Sequence, residues 1–405
     1  MDSPKGPLAR LNALRSRDNE PAGTPFEMPA TQPTTDVATA IGDLGLNLLR
    51  RTSESGRPNV VVSPYSVAAL LAMTANGANG ETGAEMRRVL YGNSIGPEEA
   101  GRQWVGLSAA IGSRSQPSLS IASAIWVRKN LGLLPGFAAS IRAKFGCEIC
   151  SADFDSIDAA AAVNRWAADR TRGLIDDIVQ HVSPESRLLL VNAVRFQGMW
   201  KVPFRSDGTQ AATFTLPDGS GVEVSMMSRE DNSIQCIRTR SFFMVRLPYK
   251  GSDNAMYVVL PNRELGLAGL LSTLTGQDFI GSVRFTAKTP PREFLILGLP
   301  RLDLAWGSDD LAEALSAMGM PSAFEPSKAD FGAIAKEKPL FISRFLHRTR
   351  IKVGELGTEA AAASYEMLAM GFPPRLVFDR PFVFGIVDEK SGAVLFLGAV
   401  NDPRP

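Results

Sequence analysis

Helical spacing of hydrophobic residues dominates the first half of the chain. Apolar side chains recur every three to four positions over residues 37–51, which predicts an amphipathic helix. Ser63 and Pro64 predict the start of a second helix, because serine favours the N-cap position and proline the first turn. The many apolar residues that follow indicate that this helix is buried. Further helices are predicted at 82–91, 159–172 and 311–318.

Strand patterns dominate the second half. Residues 188–191 are continuously apolar, as in a strand covered on both faces. Apolar runs on either side of short polar turns predict two hairpins, at 242–260 and 382–397. Further strands are predicted at 59–62, 119–127, 295–299 and 342–353. Because helices come mainly first and strands mainly last, without a repeating βαβ unit, the pattern predicts an α+β fold.

The composition is that of an ordinary globular protein. Of the 405 residues, 44% are hydrophobic, which is enough for a large core. Residues 1–35 lack apolar periodicity and are predicted to be a disordered tail, followed by one domain over residues 36–405. The net charge of +1 gives no attraction to nucleic acid or to a membrane surface, so neither is an expected partner.

The chain carries no sequence mark of export. No apolar signal region is visible near its start, and no Asn-x-Ser/Thr sequon occurs. No apolar run approaches the length of about 18 residues that spans a bilayer. The default expectation is a cytoplasmic protein, with an extracellular location possible if a signal had been removed.

The sequence contains no recognisable catalytic motif. There are two histidines, and G-x-S-x-G, H-E-x-x-H and P-loop motifs are absent. His347 lies in a predicted strand, where a hydrogen-bonded core residue is the simpler interpretation. Neighbouring aspartates at 176–177 and 309–310 cannot face each other on a helix or strand and are interpreted as surface residues. We therefore expect no catalytic residue, metal ligand or cofactor.

The three cysteines argue against a disulfide framework. Cys147 and Cys150 form a single C-x-x-C motif, which would suit a redox pair or half of a metal site. No second pair of cysteines or histidines completes a zinc site. Two small, partly buried residues are therefore the preferred interpretation, and an enzyme that uses this pair is the alternative.

Residues 354–365 stand out because they have few bulky side chains. Alanine favours a helix, but this segment has no apolar stripe that would dock one. Such a segment can instead slide between strands without steric clashes. Four small alanines, Ala360, Ala361, Ala362 and Ala363, follow Gly357, Thr358 and Glu359.

This segment resembles the hinge of the reactive-centre loop in serpins, the superfamily of serine protease inhibitors. Other motifs resemble the family in the family's order over nearly all of residues 36–405. They are Asn59 to Ser66, Asn164 to Ile175, Leu190 to Phe204, Leu247 to Lys250, Ala329 to Phe331 and Phe378 to Phe382. The resemblance implies the serpin fold, with three β-sheets, eight or nine helices and an exposed reactive-centre loop at about 355–377.

The resemblance also implies where the central sheet would open. Four residues match the family's shutter positions, where polar groups can exchange hydrogen-bond partners as two strands part. They are Ser63, Ser66, Asn192 and His347. Ordinary capping and core hydrogen bonding are the alternative, most of all for Ser63. Trp200 matches the breach position, where insertion of the loop begins.

The implied family mechanism is that of a suicide substrate. A serine protease cleaves the loop and forms an acyl-enzyme, and the freed segment then inserts into the central sheet and traps the protease. The intact inhibitor would be metastable and monomeric, and its partner would be the target protease in a covalent complex. The implied hinge comprises Glu355, Gly357, Thr358, Glu359, Ala360, Ala361, Ala362, Ala363 and Ser364.

The loop sequence meets the demands of insertion with one exception. Alternate residues of an inserted strand turn inward, and the first four inward positions carry small side chains. They are Thr358, Ala360, Ala362 and Ser364. The exception is Glu366, because burial of an unpaired carboxylate is costly.

The cleaved bond is predicted at Met370–Gly371. Counting from Glu355 with the usual family spacing gives Gly371 as the cleaved residue, whereas counting back from Pro373 gives Met370. We prefer Met370 because a side chain must fill the primary pocket of the protease. An unbranched apolar residue suits chymotrypsin-like, elastase-like or subtilisin-like proteases, and the loop centre lacks the Arg or Lys that trypsin-like proteases need. Secondary candidates are Tyr365 and Leu368.

The competing interpretation is a serpin fold without inhibition, used as a carrier, chaperone or storage protein. Such members often carry bulky or charged residues, or proline, in the hinge. The four alanines here favour inhibition. The sequence leaves open the physiological protease and whether the loop is expelled, cleaved or inserted.

Overall fold

A computed structural model describes residues 36–53, 58–93, 95–112, 119–145, 148–231, 233–291, 295–308, 311–357 and 374–404. The predicted tail lies outside these residues. Within them the chain forms nine α-helices. They are α1 (Val37–Ser53), α2 (Pro64–Ala75), α3 (Gly80–Tyr91), α4 (Pro97–Gly112), α5 (Pro135–Phe145), α6 (Ala159–Thr171), α7 (Gly266–Thr273), α8 (Gly276–Lys288) and α9 (Ala312–Ala317).

The strands of the described residues form three sheets, so the predicted α+β fold with three sheets is confirmed. The central sheet has the order β11 (Leu302–Ser308), β12 (Ile342–Val353), β4 (Leu188–Phe196), β2 (Leu119–Arg128) and β3 (Glu148–Ala152). A six-stranded sheet has the order β1 (Asn59–Val62), β15 (Ala393–Val400), β14 (Phe382–Asp388), β9 (Asn254–Pro261), β8 (Phe242–Pro248) and β7 (Gln235–Arg238). A four-stranded sheet has the order β13 (Arg375–Val377), β10 (Leu295–Pro300), β6 (Gly221–Asp231) and β5 (Arg205–Thr215).

The middle of the central sheet is a direct pairing of two strands that are distant in sequence. Strands β4 and β12 run parallel and pair from Leu188 and Ile342 to Phe196 and Ile351, with one register shift between Ile342 and Arg344. We call this pairing the seam. Because the two strands are hydrogen-bonded to each other, no further strand lies between them. The other neighbours, β2 on β4 and β11 on β12, are antiparallel.

Two apolar cores cover the central sheet. The larger core contains residues of all three sheets and of helix α2, which is buried along its whole length. The smaller core lies on the opposite face, where α6 and the segment after it pack on the sheet. It includes Val191 and Leu346, which are register partners across the seam. The smaller core therefore spans the seam.

Sequence periodicity predicts most of these elements, and β1 and β12 have the predicted bounds. It does not predict α4, α5, α7 or α8. Helix α4 contains Gly101 and Gly106, which lower its intrinsic propensity. Its stability comes from burial of Trp104 and Leu107 instead. No helix in the described part of the chain is long and apolar enough to cross a membrane.

Candidate functional site at the seam of the central sheet

A chain of hydrogen bonds between buried side chains crosses the seam. His347 on β12 and Asn192 on β4 are register partners, and their Nδ1 and Oδ1 atoms lie 2.7 Å apart. The Asn192 amide nitrogen donates in turn to the Ser123 hydroxyl on β2, at 2.8 Å. Three neighbouring strands are thus joined by side chains as well as by their backbones.

The same chain continues from the sheet into helix α2. The Ser63 backbone N–H donates to His347 Nε2 at 3.1 Å, so Nδ1 carries the imidazole hydrogen and donates to Asn192. The Ser63 hydroxyl donates to the carbonyl oxygen of Leu395 on β15, at 2.7 Å, and lies 2.5 Å from the Ser66 hydroxyl. All four predicted shutter residues are buried and belong to one connected cluster.

Burial holds the imidazole of His347 neutral. Loss of hydration, with a smaller contribution from the neighbouring Arg348 charge, lowers the pKa of His347 to about 3. A neutral ring can accept a hydrogen bond from Ser63 and donate one to Asn192 at the same time. In an imidazolium both nitrogens carry hydrogen, so neither could accept from Ser63. The ring is therefore a hydrogen-bonding link, in agreement with its interpretation as a core residue.

Ser63 occupies the predicted N-cap position of α2, but the expected capping role of its side chain is wrong. The hydroxyl makes no bond to the first turn of the backbone and is engaged with Leu395 and Ser66 instead. The preceding strand β1 is paired with β15, and this pairing brings the β15 backbone within reach of the hydroxyl. Tertiary packing thus overrides the local preference.

Sequence reasoning missed Ser123, a member of the cluster, and Thr349, a buried polar residue of the same strand as His347. Ser123 accepts a hydrogen bond from Asn192, and the Thr349 hydroxyl donates to the Val61 carbonyl oxygen at 2.8 Å. A signal was present for Thr349, because residues two apart on a strand share a face and His347 precedes it by two. Ser123 is a polar residue inside an apolar alternating strand, which is the same kind of signal.

Trp200, the predicted breach residue, lies at the end of the seam where both β4 and β12 end. Its indole is buried and stacks on Tyr249, with ring centroids 4.6 Å apart. The indole Nε1–H donates to the carbonyl oxygen of Gly354 at 3.0 Å, and the Trp200 backbone N–H donates to Leu356 at 2.8 Å. The residues that follow β12 are therefore held against the end of β4.

Gly357 makes the closest backbone approach in this region. Its φ angle of +139° is one that side chains rarely adopt, and a Cβ atom would lie 2.1 Å from the carbonyl oxygen of Gly198. Gly357 forms an isolated bridge with Met199. Only glycine fits here without displacing the chain that leads into Trp200.

Glu355 is tied to the four-stranded sheet by its carboxylate. Arg301 and the Thr209 hydroxyl both donate to Oε1. Partial burial alone would raise the pKa of this carboxyl, but the hydrogen bonds from Arg301 and Thr209 outweigh it, so the pKa is lowered. The first residues of the predicted hinge are thereby anchored by backbone and side-chain contacts.

The remaining hinge and cleavage residues lie outside the described residues. They are Thr358, Glu359, Ala360, Ala361, Ala362, Ala363, Ser364, Met370 and Gly371. Strand β12 of the central sheet ends at Val353, and the described residues stop at Gly357. They resume at Pro374, one residue before β13, which belongs to a different sheet. The segment between them thus connects two sheets.

The cysteine pair considered from the sequence is described only in part. Cys147 lies outside the described residues, and burial, together with the Glu148 charge, raises the pKa of Cys150 to about 11. A thiol with so high a pKa is a poor nucleophile at neutral pH. Among the described residues, no group of three or more His, Cys, Asp or Glu side chains is placed to hold a metal ion.

Comparison with known proteins gives a consistent result. A family model described as Serpin (serine protease inhibitor) matches residues 39–403. Glia-derived nexin from Rattus norvegicus is 33% identical over 376 residues, which cover 89% of this chain and 92% of that protein.

Solved structures give the same picture. The thermophilic serpin tengpin in its native state has a TM-score of 0.81 at 28% identity, covering 94% of this chain and 97% of that one. Human thyroxine-binding globulin has a TM-score of 0.81 over 91% of this chain and 99% of that one, and its 24% identity shows a shared fold alone.

Proposed function

This chain belongs to the serpin family, and we propose that it inhibits serine endopeptidases as a suicide substrate. The target protease cleaves the loop at Met370–Gly371 and becomes attached to it as an acyl-enzyme. The residues from Thr358 onward then enter the seam as a new strand. The protease is carried with them and trapped before water completes the hydrolysis. A chymotrypsin-like, elastase-like or subtilisin-like protease fits the Met370 side chain.

One observation carries this proposal: the seam is closed, and the chain that leaves β12 at its end continues directly into the small-residue hinge. β4 and β12 pair directly with each other, so no strand occupies the place where the hinge would insert. The predicted hinge starts at Glu355, only two residues beyond Val353. A strand that folds back from there would run antiparallel to both β4 and β12.

The energetics favour such an insertion. It replaces one parallel ladder by two antiparallel ones, and antiparallel pairing is slightly more stable per residue. With about 1 kcal/mol net per hydrogen bond, an inserted strand of about a dozen residues would gain on the order of 10 kcal/mol. The intact molecule would then be metastable, and cleavage of the loop would release this energy.

The polar cluster supports a role for the seam as the place of opening. The His347–Asn192 bond is the side-chain link that joins β12 to β4, and it must break when the strands part. Each partner keeps another bond on its own side, since Ser63 donates to His347 and Ser123 accepts from Asn192. The cost of opening is therefore smaller than that of exposing an isolated buried group.

The alternative is a carrier or chaperone with the same fold. The two functions are separated by incubation with chymotrypsin, followed by boiling in SDS and electrophoresis. We expect a covalent complex larger than either protein. Cleavage of the loop without a complex would overturn inhibition and support the alternative.

A pair of arginine variants tests the hinge. Thr358→Arg should convert the inhibitor into a substrate, because its side chain would point inward on insertion. Ala361→Arg is the matched control: it adds the same charge at a position of opposite parity, which faces outward, and should still form complex. Equal complex formation by both variants would contradict the hinge assignment.

A further inference from the structure

A groove of about 810 Å³ lies among helices α2, α3, α4 and α5. Helix α4 forms one wall of it over residues 97–105. The groove is lined at the C-terminal end of α2, whereas Ser63 and Ser66 lie at the N-terminal end of that helix. It is therefore separate from the seam cluster.

The wall of the groove is largely apolar and reaches the surface. Small residues form much of it: Ala72, Ala75, Ala78, Ala100 and Gly101. The rings of Trp104 and Phe145 also line it, with their centroids 5.9 Å apart. Val105 lines it as well and is 48% exposed, which makes it one of four large hydrophobic side chains that are exposed among the described residues. Aromatic rings beside small side chains leave room for a flat or unbranched apolar side chain.

The predicted tail joins the described structure beside the same helix. The backbone N–H of Val37 donates to Oε1 of Gln103 on α4 at 2.8 Å, so the chain enters at this helix. Residues 1–35 precede this point and lie outside the described residues. Gln103 is not among the described lining residues, and at 3.6 residues per turn it lies on the opposite side of α4 from Gly101. A segment of the tail that occupies the groove must therefore cross α4.

The tail is long enough to do so. Counting back from Asp36, its first large apolar side chains are Met28 and Phe26. Ten residues of extended chain span about 33 Å. A helix with its side chains is about 10–12 Å across, and the wall over residues 97–105 is about 12 Å long. Both side chains can therefore reach every part of the groove.

The local sequence also favours a segment that lies in a groove. Prolines at 25 and 29 flank Phe26, Glu27 and Met28. Pro29 disfavours helical backbone at Met28 and biases it towards an extended conformation. Alternate side chains of an extended segment share a face, so Phe26 and Met28 would point to one side and Glu27 to the other. Two apolar side chains can then be buried while the carboxylate stays in water.

We propose that this groove is the docking site of the chain's own N-terminal segment, residues 25–29, with Phe26 beside the rings of Trp104 and Phe145 and Met28 beside Val105. Only this short part of the predicted disordered tail becomes ordered. The docking is additional to protease inhibition and does not depend on it.

Photocrosslinking from the tail tests the occupant. The photoreactive residue p-benzoylphenylalanine replaces Phe26 in the full chain, where it leaves the packed helices and sheets unaltered. After illumination, mass spectrometry should find crosslinks to residues 72–78 and 97–105 of the same molecule. The matched control carries the same residue at Leu14, which is also apolar but lies 22 positions before Asp36. It should give at least about fivefold fewer crosslinks to the groove.

Each other outcome of this experiment overturns the proposal. Equal yields from positions 26 and 14 would mean contact without sequence preference. Crosslinks that join two chains would assign the groove to a second copy. Absence of crosslinks from position 26 to the groove would leave it to a different partner.

Two glycines of α4 provide matched variants of the groove itself. Gly101 and Gly106 are both exposed, and a Cβ atom at either meets nothing within 4 Å, but only Gly101 is among the described lining residues. Gly101→Leu should lower the crosslink yield from position 26 at least about fivefold, because its side chain fills the groove. Gly106→Leu should leave the yield unchanged. Leucine favours a helix more than glycine does, so both variants should fold, which thermal unfolding checks. Equal yields in the two variants would contradict docking in this groove.

Hydrogen exchange of the full chain gives an independent readout. Phe26→Ser combined with Met28→Ser should speed exchange of the backbone amides over residues 97–105 at least about threefold, since docking would protect them. Leu11→Ser combined with Leu14→Ser removes two apolar side chains from the tail as well and should leave this exchange unchanged. The same exchange rates in both double variants would contradict a specific role of Phe26 and Met28.

Discussion

The seam and the six-stranded sheet are both buried, but they are stabilised in different ways. In the six-stranded sheet, strands β9, β14 and β15 are antiparallel neighbours, and every one of their residues is buried. In the seam, β4 and β12 are parallel, and β12 has part-exposed residues along its length. Polar side chains form a hydrogen bond from one strand to the other.

The difference indicates which part of the molecule can rearrange. Separation of apolar strands exposes hydrophobic area, at about 25 cal/mol per Å², and nothing compensates for it. Within the polar cluster, separation of β4 from β12 breaks the His347–Asn192 bond and leaves the Ser63–His347 and Asn192–Ser123 bonds intact. We therefore interpret the six-stranded sheet as the rigid body of the molecule and the seam as its opening. Four predictions test this comparison, from the largest expected effect to the smallest.

Phe384→Ala should have the largest effect on the free energy of unfolding. Phe384 is fully buried on β14 and packs against Gly398, where a Cβ atom would lie 2.3 Å from its ring. Removal of a buried phenylalanine ring costs about 3–5 kcal/mol. Urea unfolding of the intact and loop-cleaved forms should show the same loss in both. A loss confined to the intact form would mean that this sheet also rearranges.

Acidification should lower the free energy of unfolding, because His347 is buried in its neutral form. The folded protein holds the ring neutral with a pKa of about 3, whereas an unfolded histidine takes up a proton below about 6.5. The unfolded state therefore binds more protons as pH falls, and stability decreases from pH 6.5 towards pH 3. Between pH 7.5 and pH 5 this amounts to about 2 kcal/mol.

The matched control for this pH effect is His347→Gln, whose amide can donate and accept but does not titrate. Its stability should change less than that of the unaltered protein over the same range, as measured by urea unfolding at each pH. An equal change in both proteins would show that other groups cause the acid sensitivity.

Asn192→Ala should loosen the seam. The variant removes the Asn192 amide, which is the partner of the His347 Nδ1–H and of the Ser123 hydroxyl. We expect the free energy of unfolding to fall by about 1–3 kcal/mol. The variant should also shorten the half-life of inhibitory activity at constant temperature, because an unpaired seam opens more readily.

Gln235→Ala is the control for that variant in the rigid sheet. The Gln235 amide accepts from Arg246 at 2.7 Å and donates to two backbone carbonyl oxygens, of Ala287 and Thr289. Its loss should lower the free energy of unfolding by a similar amount and leave the half-life of inhibition unchanged. A shortened half-life in this control would remove the distinction between the two sheets.

Glu355→Gln should have the smallest effect. The carboxylate is largely buried, but its partner Arg301 is half-exposed, so we expect a loss of about 0.5–1 kcal/mol in urea unfolding at pH 7. Asp207→Asn, in an exposed pair with Arg205, should cause no measurable change. A loss above about 3 kcal/mol for Glu355→Gln would place it among the buried ion pairs.

The sequence alone determined much of the fold, because local patterns carry it. Alternation and apolar runs gave the bounds of β1 and β12, and the serine–proline pair gave the start of α2. Motifs in family order predicted the three sheets, and they also selected Ser63, Ser66, Asn192 and His347, which lie together in the structure.

Only the tertiary structure decided what these residues contact. Local preference made Ser63 a capping residue, but its hydroxyl bonds to a strand 332 positions away. The pairing of β4 with β12 depends on register between segments about 155 residues apart. The physical reason is that periodicity fixes which face of a strand is buried, whereas the neighbour across its edge is set by hydrogen bonding and packing in three dimensions.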